Sequence, residues 1–445
     1  MYALSAPSTA ALSEGTAVEC TPAPRASRPK PVEPPASPCR FCGAPLDVTF
    51  VNLGTSPLCQ HHVRPHQYNH AEAFYPLHAR VCRACFLVQL DKFVTSEQIF
   101  QDDYAYFSSY SASWLRHASR YTDMATARFE LDADSQVVEV ASNDGYLLQY
   151  FVAKGIPVLG IEPARNVAEV ARGKGIDTLG RFFGCETAQY VAATTGQADL
   201  LLGNNVLAHV PDINDFVAGM KLLLKPEGVI TMEFPHLLRL MEGNQFDTIY
   251  HEHFSYLSFY TVELIFAHHG LTLFDVEELS THGGSLRIFA RHTGAAGWPV
   301  SERVMELRAR EVQDGITSLA SYADFEEKAK ETKRKLLEFL IDAKRRGKTV
   351  VGYGAPGKGN TLLNYCGIHT DFLDYTVDVS PHKQGNFLPG TRIPICHPDL
   401  IFETRPDYVL ILPWNLREEI MEQMAGIRKW GGRFVVPIPE VLIYA

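Results

Sequence analysis

The sequence lacks the features of several protein classes. No apolar run approaches the roughly 20 residues that a membrane-spanning helix needs, so a spanning helix is excluded. Only 41 Lys and Arg stand against 51 Asp and Glu, a net charge of −10, which argues against binding nucleic acid through its phosphates. Nine cysteines in 445 residues are too few for a disulfide scaffold. With 46% hydrophobic residues the chain can bury real cores, and we expect a cytoplasmic enzyme that is a monomer or weak dimer.

Composition divides the chain into four segments. Residues 1–37 are rich in Ala, Pro, Ser and Thr without an apolar period, which predicts a disordered leader. Residues 38–100 are dense in Cys and His and short of periodic structure, so a metal would stabilise a segment with little core of its own. Residues 101–295 and 296–445 alternate strand-like and helical stretches, typical of two α/β units, with helices over 301–346 linking them.

The apolar runs predict the strands of both α/β units. In the first unit the candidate strands are Val137–Ala141, Val158–Ile161, Asp199–Leu202, Val229–Phe234, Thr272–Val276 and Ser285–Ala290. In the second unit they are the run from Thr349 into Gly354, then Tyr375–Val379, Tyr408–Leu412 and, as the last strand, Arg433–Val436. Turns and helix-like patterns follow the first strands, which indicates a parallel, doubly wound sheet.

Four cysteines form the strongest inorganic signal. They make two Cys-x-x-Cys pairs, each able to place two thiolates on one knuckle: Cys39, Cys42, Cys82 and Cys85. Four thiolates fill the coordination sphere of a tetrahedral zinc ion, so the metal would be structural. Two chance pairs remain the alternative. The intervening histidines could substitute as ligands, but we favour the thiolates and expect these histidines to be solvated loop residues, namely His61, His62, His66 and His78.

The turns after the first strands carry the residues expected of a cofactor site. Glu139 lies in the first strand, and the following turn contains Ser142, Asn143, Asp144 and Gly145. This turn is not Gly-x-Gly-x-x-Gly, which disfavours a dinucleotide. Glu162, after the second strand, could accept hydrogen bonds from both ribose hydroxyls, unless it is a solvated loop charge. An acidic turn with a ribose-binding carboxylate indicates S-adenosylmethionine, with Asn204 and Asn205 at the same edge.

The run from Tyr250 to Tyr256 is dense in proton-transfer groups. His253 is a candidate general base near neutral pH, and Glu252 is close enough in sequence to orient it or tune its pKa. A metal-binding pair of histidines or a plain surface loop remains open for this run. His209 follows the third strand and would lie at the same sheet edge, unless it packs on a helix.

Three further regions are candidates for substrate binding. The aromatic and hydroxyl cluster from Asp103 to Ser109 would form a lid over a small polar substrate, or else pack as an aromatic stripe. The glycines after His282 allow close backbone approach, and the run Gly352–Thr361 resembles a phosphate cradle without the order of a P-loop. With the polar turn Asp378–Gly385, these regions supply the substrate-binding candidates Tyr106, Ser108, His282, Gly283, Gly284, Gly354, Lys358, Asn360, Ser380 and Lys383.

With these motifs in this order, the chain resembles the nucleotide-sugar C-methyltransferases of deoxysugar biosynthesis. The resemblance covers residues 38–445 and rests on the four cysteines, Tyr104 with Tyr106–Ser109, Ser142–Gly145, Asn204–Val206, Tyr250–His253, His282–Ser285 and Gly352–Ala355. It implies an α/β fold with a small N-terminal zinc-binding domain over 38–100. A central doubly wound Rossmann-like methyltransferase domain would cover 101–295. A helical linker and a C-terminal Rossmann-like domain over 296–445 would hold the sugar nucleotide, expected to be a dTDP-4-keto-deoxyhexose.

The resemblance also implies methylation of a carbon next to a keto group, expected at carbon 3, with carbon 5 open. A base would remove a proton, and the enolate carbon would take the methyl group. His253 would be the base, while Tyr104, Tyr250 and His209 would line the reacting end. The alternatives are an O-methyltransferase acting on a nucleotide sugar and a non-catalytic, zinc-stapled nucleotide-binding protein, which would leave the Tyr250–His253 run unexplained.

Overall fold

The computed structural model of the protein describes residues 37–100 and 104–445, so residues 1–36 of the predicted leader, and Asp103, lie outside the described residues. The strands of the described part are β1 Val48–Ser56, β2 Tyr75–Val81, β3 Val88–Leu90, β4 Val137–Val140, β5 Val158–Ile161, β6 Thr178–Leu179, β7 Ala198–Asn204, β8 Leu224–Pro235, β9 Ser255–Tyr256, β10 Leu271–Leu279, β11 Ser285–His292, β12 Val350–Tyr353, β13 Thr376–Val377, β14 Ile395–Cys396, β15 Tyr408–Ile411, β16 Arg433–Val436 and β17 Leu442–Tyr444.

Helices connect these strands, and none within the described ranges has the length and apolar character to cross a membrane. They are α1 Ser96–Ile99, α2 Ala112–Arg128, α3 Leu148–Ala153, α4 Arg165–Gly173, α5 Cys185–Thr194, α6 Ile213–Leu223, α7 Leu237–Glu242, α8 Phe259–His268, α9 Glu302–Gln313, α10 Phe325–Arg345, α11 Gly357–Cys366, α12 Leu400–Thr404 and α13 Arg417–Gln423. The helical stretch predicted over 301–346 is thus confirmed as α9 and α10.

The N-terminal sheet is antiparallel, with the strand order β1-β2-β3-β9. The sequence predicted little periodic structure here, which is wrong, since β1, β2 and β3 lie in this segment. Register shifts between Thr49 and Val51 and between Asn52 and Thr55 interrupt the alternation of β1, so the sequence does not show it as a strand. The expectation of a solvated loop was also wrong for His78, which lies in β2 with its Nε2 2.9 Å from Thr49 Oγ1.

The central sheet has the order β10-β11-β8-β7-β4-β5-β6 among the described residues. Its β8-β7-β4-β5-β6 part is parallel, while β11 runs antiparallel to β8 and to β10. All six predicted strands of this unit are confirmed, and β6 is added at the edge. Because β4, β5 and β7 are parallel, the turns after them meet at one edge, where the cofactor residues were predicted.

The C-terminal sheet has the order β14-β13-β12-β15-β16-β17 in the part of the chain that the structure describes. Five strands are parallel and β17 is antiparallel to β16. Arg433–Val436 was predicted as the last strand, which is wrong, since Leu442–Tyr444 follows it. Leu442 and Ile443 are exposed at the sheet edge, so β17 lacks the buried apolar pattern of a core strand.

The N-terminal sheet packs against residues from later parts of the chain. Phe50 of β1 stacks on Phe325 of α10, with ring centroids 4.4 Å apart, and contacts Tyr322 edge-on. The last strand, β9, comes from the central part of the chain and directly follows the Tyr250–Phe254 segment. This segment therefore lies where the N-terminal, central and C-terminal parts of the structure meet.

Candidate active site

The four predicted metal ligands form one cluster. Their Sγ atoms all lie within 4.8 Å of one another, with 3.6 Å between Cys39 and Cys85 and 3.5 Å between Cys42 and Cys82. Thiolates bound to tetrahedral zinc at about 2.3 Å lie about 3.8 Å apart, so the cluster fits zinc. Hydrogen bonds from the Cys85 thiol and from Gln89 lower the pKa of Cys39 to about 4, which favours the thiolate.

The turn after β4 is shaped by three left-handed residues, Ala141, Asn143 and Gly145. A Cβ atom at Gly145 would lie 2.4 Å from Ile176 Cδ1, so this position needs glycine. Ser142 Oγ is buried without a hydrogen-bond partner among the described residues, and the neighbouring carboxylate of Glu139 is fully buried beside Tyr146. Burial raises the pKa of Glu139 well above its ordinary value. An unpaired buried group such as Ser142 Oγ is what a bound ligand satisfies, which fits a cofactor at this turn.

Glu162 is tied to the same turn. Its Oε2 accepts a hydrogen bond from the Asn143 backbone N–H at 3.0 Å, and its Oε1 accepts one from the Ala164 N–H at 2.8 Å. Burial raises the pKa of Glu162 to about 7. The carboxylate is therefore not a solvated loop charge, and each oxygen keeps a second lone pair for a ribose hydroxyl. Asp144 is also buried, with Oδ2 3.4 Å from Lys174 Nζ.

The segment from Tyr104 to Tyr110 joins the cofactor turn to the predicted catalytic residues. The Ser108 N–H donates to Asn143 Oδ1 at 2.8 Å, and Asn143 Nδ2 donates to the Tyr106 carbonyl at 3.3 Å. At the other end, the Tyr104 hydroxyl donates to Glu252 Oε2 at 3.2 Å. These bonds bring the two predicted sites together, whereas the Tyr106 side chain itself is exposed.

His253 lies in a half-buried cluster with Tyr250 and His209. Its ring centroid is 4.1 Å from that of Tyr250 and 4.6 Å from that of His209. His253 Nδ1 lies 2.9 Å from the Thr248 carbonyl oxygen. A carbonyl only accepts, so Nδ1 carries the proton and Nε2 has the free lone pair of a base. Burial lowers the pKa of His253 well below its ordinary value and that of His209 to about 4, so both imidazoles are neutral at pH 7.

The sequence predicted that Glu252 orients His253 or tunes its pKa. In the structure the Glu252 carboxylate bonds to other residues instead. Its two oxygens accept hydrogen bonds from Tyr104 and from the thiol of Cys59, the latter at 3.3 Å, while a backbone carbonyl fixes the His253 ring. Burial raises the pKa of Glu252 to about 7. Cys59 is a site residue that the sequence analysis missed, because it lies outside every motif and 193 positions from its partner.

The glycine-rich turn of the C-terminal sheet meets this cluster. A Cβ atom at Gly357, the first residue of α11, would lie 3.0 Å from Cys59 Sγ and 3.4 Å from the Tyr250 ring. Next to it, Lys358 Nζ donates to Asn415 Oδ1 at 2.7 Å, and burial lowers the pKa of Lys358 to about 8. Asn360 is 1% exposed, and neither of its amide atoms has a partner among the described residues.

Two other candidates line the neighbouring polar turn. Lys383 Nζ donates to the Ala355 carbonyl at 3.0 Å and lies 3.3 Å from Asp378 Oδ2. Ser380 Oγ is buried without a partner among the described residues, while the Ser380 N–H donates to Asp378 Oδ1 at 2.9 Å. Asp378 thus holds this turn against the glycine-rich turn.

Packing explains three of the predicted substrate-binding glycines. All three have positive φ values, and a Cβ atom would lie 2.6 Å from Trp414 at Gly283, 2.7 Å from Arg239 at Gly284 and 2.6 Å from Pro413 at Gly354. The Trp414 indole N–H also donates to Asp247 Oδ2 at 2.7 Å, a contact between two residues that the sequence analysis did not select. These glycines therefore allow close packing within the protein, where any side chain would clash.

His282 and the asparagines after β7 occupy one region. Asn205 Nδ2 lies 2.9 Å from His282 Nε2, and Asn204 Nδ2 donates to the Tyr146 hydroxyl at 3.2 Å. Burial lowers the pKa of His282 to about 4. A predicted cofactor residue thus contacts a predicted substrate residue.

Sequence comparison decides the family. The chain is 37% identical to the C-methyltransferase NovU of Streptomyces niveus over 406 residues, which are 91% of this chain and 96% of the relative. The chain belongs to the C-methyltransferase family. Family models of a zinc binding domain, a methyltransferase domain and a C-methyltransferase C-terminal domain match residues 39–100, 114–276 and 280–439 of this C-methyltransferase. The enzyme depends on S-adenosylmethionine, and the predicted fold class, methyl donor and zinc-binding domain are confirmed.

Other similar proteins match parts of this C-methyltransferase. The ubiquinone biosynthesis O-methyltransferase of Bartonella bacilliformis is 27% identical over 104 residues, which are 22% of this chain and 40% of the relative. Among solved structures, an S-adenosylmethionine-dependent methyltransferase from Clostridium acetobutylicum has a TM-score of 0.33 and 12% identity, covering 40% of this chain and 92% of that one. The magnesium protoporphyrin IX methyltransferase of Synechocystis has a TM-score of 0.32 and 14% identity, covering 40% and 82%.

Proposed function

We propose that this C-methyltransferase methylates carbon 3 of a 4-keto-deoxysugar nucleotide, a dTDP-4-keto-deoxyhexose, in deoxysugar and antibiotic biosynthesis. One observation carries the proposal: a half-buried, neutral His253 whose Nδ1 is fixed by the Thr248 carbonyl lies beside Tyr250 and His209. Hydrogen bonds link this cluster to the cofactor turn, and the glycine-rich turn packs on it. A base held between the methyl donor and a second binding region suits deprotonation of a carbon acid.

The proposed reaction has two steps, removal of a proton from carbon 3 and transfer of a methyl group to the same carbon. A 4-keto group acidifies the proton on carbon 3, and His253 Nε2 takes that proton as a general base. The electron pair of the broken C–H bond forms an enolate, whose carbon 3 then bonds to the transferred methyl carbon. S-adenosylmethionine supplies this methyl group as an electrophile and leaves as the neutral thioether when its C–S bond breaks.

The surrounding donors stabilise the enolate oxygen. Burial raises the pKa of Tyr250 and Tyr104 well above the ordinary tyrosine value, so both hydroxyls stay protonated. The Tyr250 proton is available to the enolate oxygen, whereas Tyr104 donates its proton to Glu252 and lines the reacting end. Glu252 holds Tyr104 by accepting a hydrogen bond from its hydroxyl. The ring centroid of the neutral His209 lies 4.6 Å from that of the base, His253. Preorganised donors of this kind typically contribute about 10²–10³ in rate each.

We assign the nucleotide end of the substrate to the C-terminal part of the chain. Lys358 and Lys383 bring positive charge, and the unpaired polar atoms of Asn360 and Ser380 are available to an anion or a sugar hydroxyl. In this proposal residues 38–100 bind zinc, 101–295 carry the methyl donor and 296–445 bind the sugar nucleotide.

The test is an assay of a panel of 4-keto sugar nucleotides with S-adenosylmethionine, followed by NMR of the product. A new methyl group on carbon 3 is expected, together with solvent deuterium exchange at carbon 3 in the absence of the methyl donor. A methyl group on carbon 5 would move the assigned position, and a methylated hydroxyl without exchange would replace the enolate mechanism by O-methyl transfer. The absence of turnover with every sugar nucleotide would overturn the substrate class.

A further inference from the structure

We propose that Arg40, within the first cysteine knuckle, is a positioning residue that holds the segments of His209 and His253 in place against each other. The inference rests on the proposed function, in which these two histidines act together on one substrate. Arg40 is a spacer in the Cys39–Cys42 motif and is not a zinc ligand. Its side chain nevertheless extends from the zinc cluster to the segments that carry both histidines.

The guanidinium group of Arg40 contacts both histidine-bearing segments. Its Nη1 donates to the Pro211 carbonyl at 3.2 Å, two residues after His209. Its Cζ lies 5.4 Å from the ring centroid of Phe254, which directly follows His253, in the geometry of a cation–π contact. One planar cation therefore contacts two segments that are distant in sequence, and it adds to the hydrogen bond that the Phe254 N–H donates to the Ala208 carbonyl at 2.7 Å.

The same knuckle is tied to the strand that follows the catalytic run. Gln89 of β3 pairs with Ser255 of β9, and its Oε1 accepts from the Arg40 backbone N–H at 2.9 Å and from Arg40 Nε at 3.3 Å. Gln89 Nε2 donates to Cys39 Sγ at 3.1 Å, and Arg40 Nη2 donates to the Leu90 carbonyl. Gln89 is 1% exposed, so its end of the network is closed to water and the amide is held by its partners.

The second knuckle offers a matched control. Arg83 occupies the corresponding position between Cys82 and Cys85, but its side chain is 57% exposed. Its Nε donates to Asp47 Oδ1 at 2.7 Å, and Asp47 is itself exposed. Two arginines at the same position of two similar motifs thus differ in whether they reach the histidine-bearing segments.

The experiment compares Arg40→Met with Arg83→Met in the full chain, because methionine keeps the stem and removes the donors. Each variant is checked for zinc content, for kcat and KM in methyl transfer, and for the Cε1 NMR resonances of the histidines without substrate. Arg40→Met is expected to retain zinc and both KM values, to lower kcat by about 10–100-fold, and to shift the His253 resonance, since a displacement of about 1 Å costs on the order of 10²-fold in rate. Arg83→Met should match the wild type in every measurement.

Equal kcat and equal His253 resonances in the two methionine variants would overturn the inference. If Arg40→Met does not fold or loses zinc, Arg40→Lys decides. It keeps the charge but cannot reach all three carbonyl and amide acceptors, so kcat should fall while zinc is retained, and a wild-type kcat would contradict the proposal. If the wild type methylates no sugar nucleotide, the proposed function fails, while the resonance shift in the substrate-free protein still tests the role of Arg40.

Discussion

Replacing His253 by asparagine separates proton transfer from the geometry of the catalytic cluster. The asparagine amide N–H can still donate to the Thr248 carbonyl, which in the wild type lies 2.9 Å from His253 Nδ1. The change removes the Nε2 lone pair and little volume, so the neighbouring Tyr250 and His209 keep their supports. We therefore expect both ligands to bind to His253→Asn with their wild-type affinities.

The size of the effect follows from the role of the imidazole. Loss of a positioned general base costs about 10²–10⁴ in rate, so kcat should fall by that factor. Burial lowers the pKa of His253, so the imidazole is already neutral at pH 7 and loses its lone pair only under more acidic conditions. The wild-type rate should therefore decline only well below the ordinary titration range of histidine, and this acidic limb should vanish in His253→Asn.

The role of His253 as the base is tested by measuring methyl transfer and deuterium exchange in the same enzyme preparation. Methyl transfer is followed by NMR of the product, and deuterium exchange at the acidic carbon is followed without the methyl donor. Exchange should fall together with methylation, because enolisation comes first. Exchange that persists at the wild-type rate would show that another group removes the proton. A limb near pH 7 that survives in the variant would belong to Glu252 or Glu162, because burial raises the pKa of each to about 7.

Three other predictions address zinc, the methyl donor and acid stability. The purified protein should contain about one zinc per chain by metal analysis, and Cys42→Ser should reduce that content; a native protein without zinc would contradict the cluster's assignment. Glu162→Gln should weaken S-adenosylmethionine binding by about 1–2 kcal/mol, the value of one charge-assisted hydrogen bond, and an unchanged affinity in calorimetry would reject the ribose contact. His282 has a pKa of about 4 when folded and about 6.5 when unfolded, so the unfolded state binds more protons between these values. As pH falls from 6.5 to 4, the unfolding free energy of the wild type should therefore drop relative to that of His282→Asn by about 1.4 kcal/mol per pH unit, and parallel denaturant-unfolding results would argue against a buried neutral ring.

The sequence predicted features that depend on neighbours along the chain. The strands β4, β5 and β7 are short apolar runs followed by turns, and parallel pairing is the common solution for such a pattern. The run Tyr250–His253 was selected because its proton-transfer groups are contiguous, and the structure buries His251 and Glu252 and half-buries the other two. Two cysteine pairs were enough to predict the metal cluster.

Contacts between distant residues left no such signal. Cys59 donates to a carboxylate 193 positions away, and Trp414 donates to Asp247 across 167 positions, yet each is a single residue without a pattern around it. The role of Gly283 is ambiguous in the same way. A glycine that packs against a tryptophan cannot be told from one that faces a ligand by its sequence alone. Such roles depend on tertiary packing and were not predictable from one sequence.

The stacking of Phe50 on Phe325 has a consequence for the order of events during synthesis. The two residues are 275 positions apart, so β1 leaves the ribosome long before the helix that covers it. At about 5–20 residues per second, the apolar face of β1 waits roughly 15–55 s for α10. The N-terminal sheet also waits for β9, which is made about three quarters of the way through that interval. The first part of the chain to be made is therefore among the last to be completed.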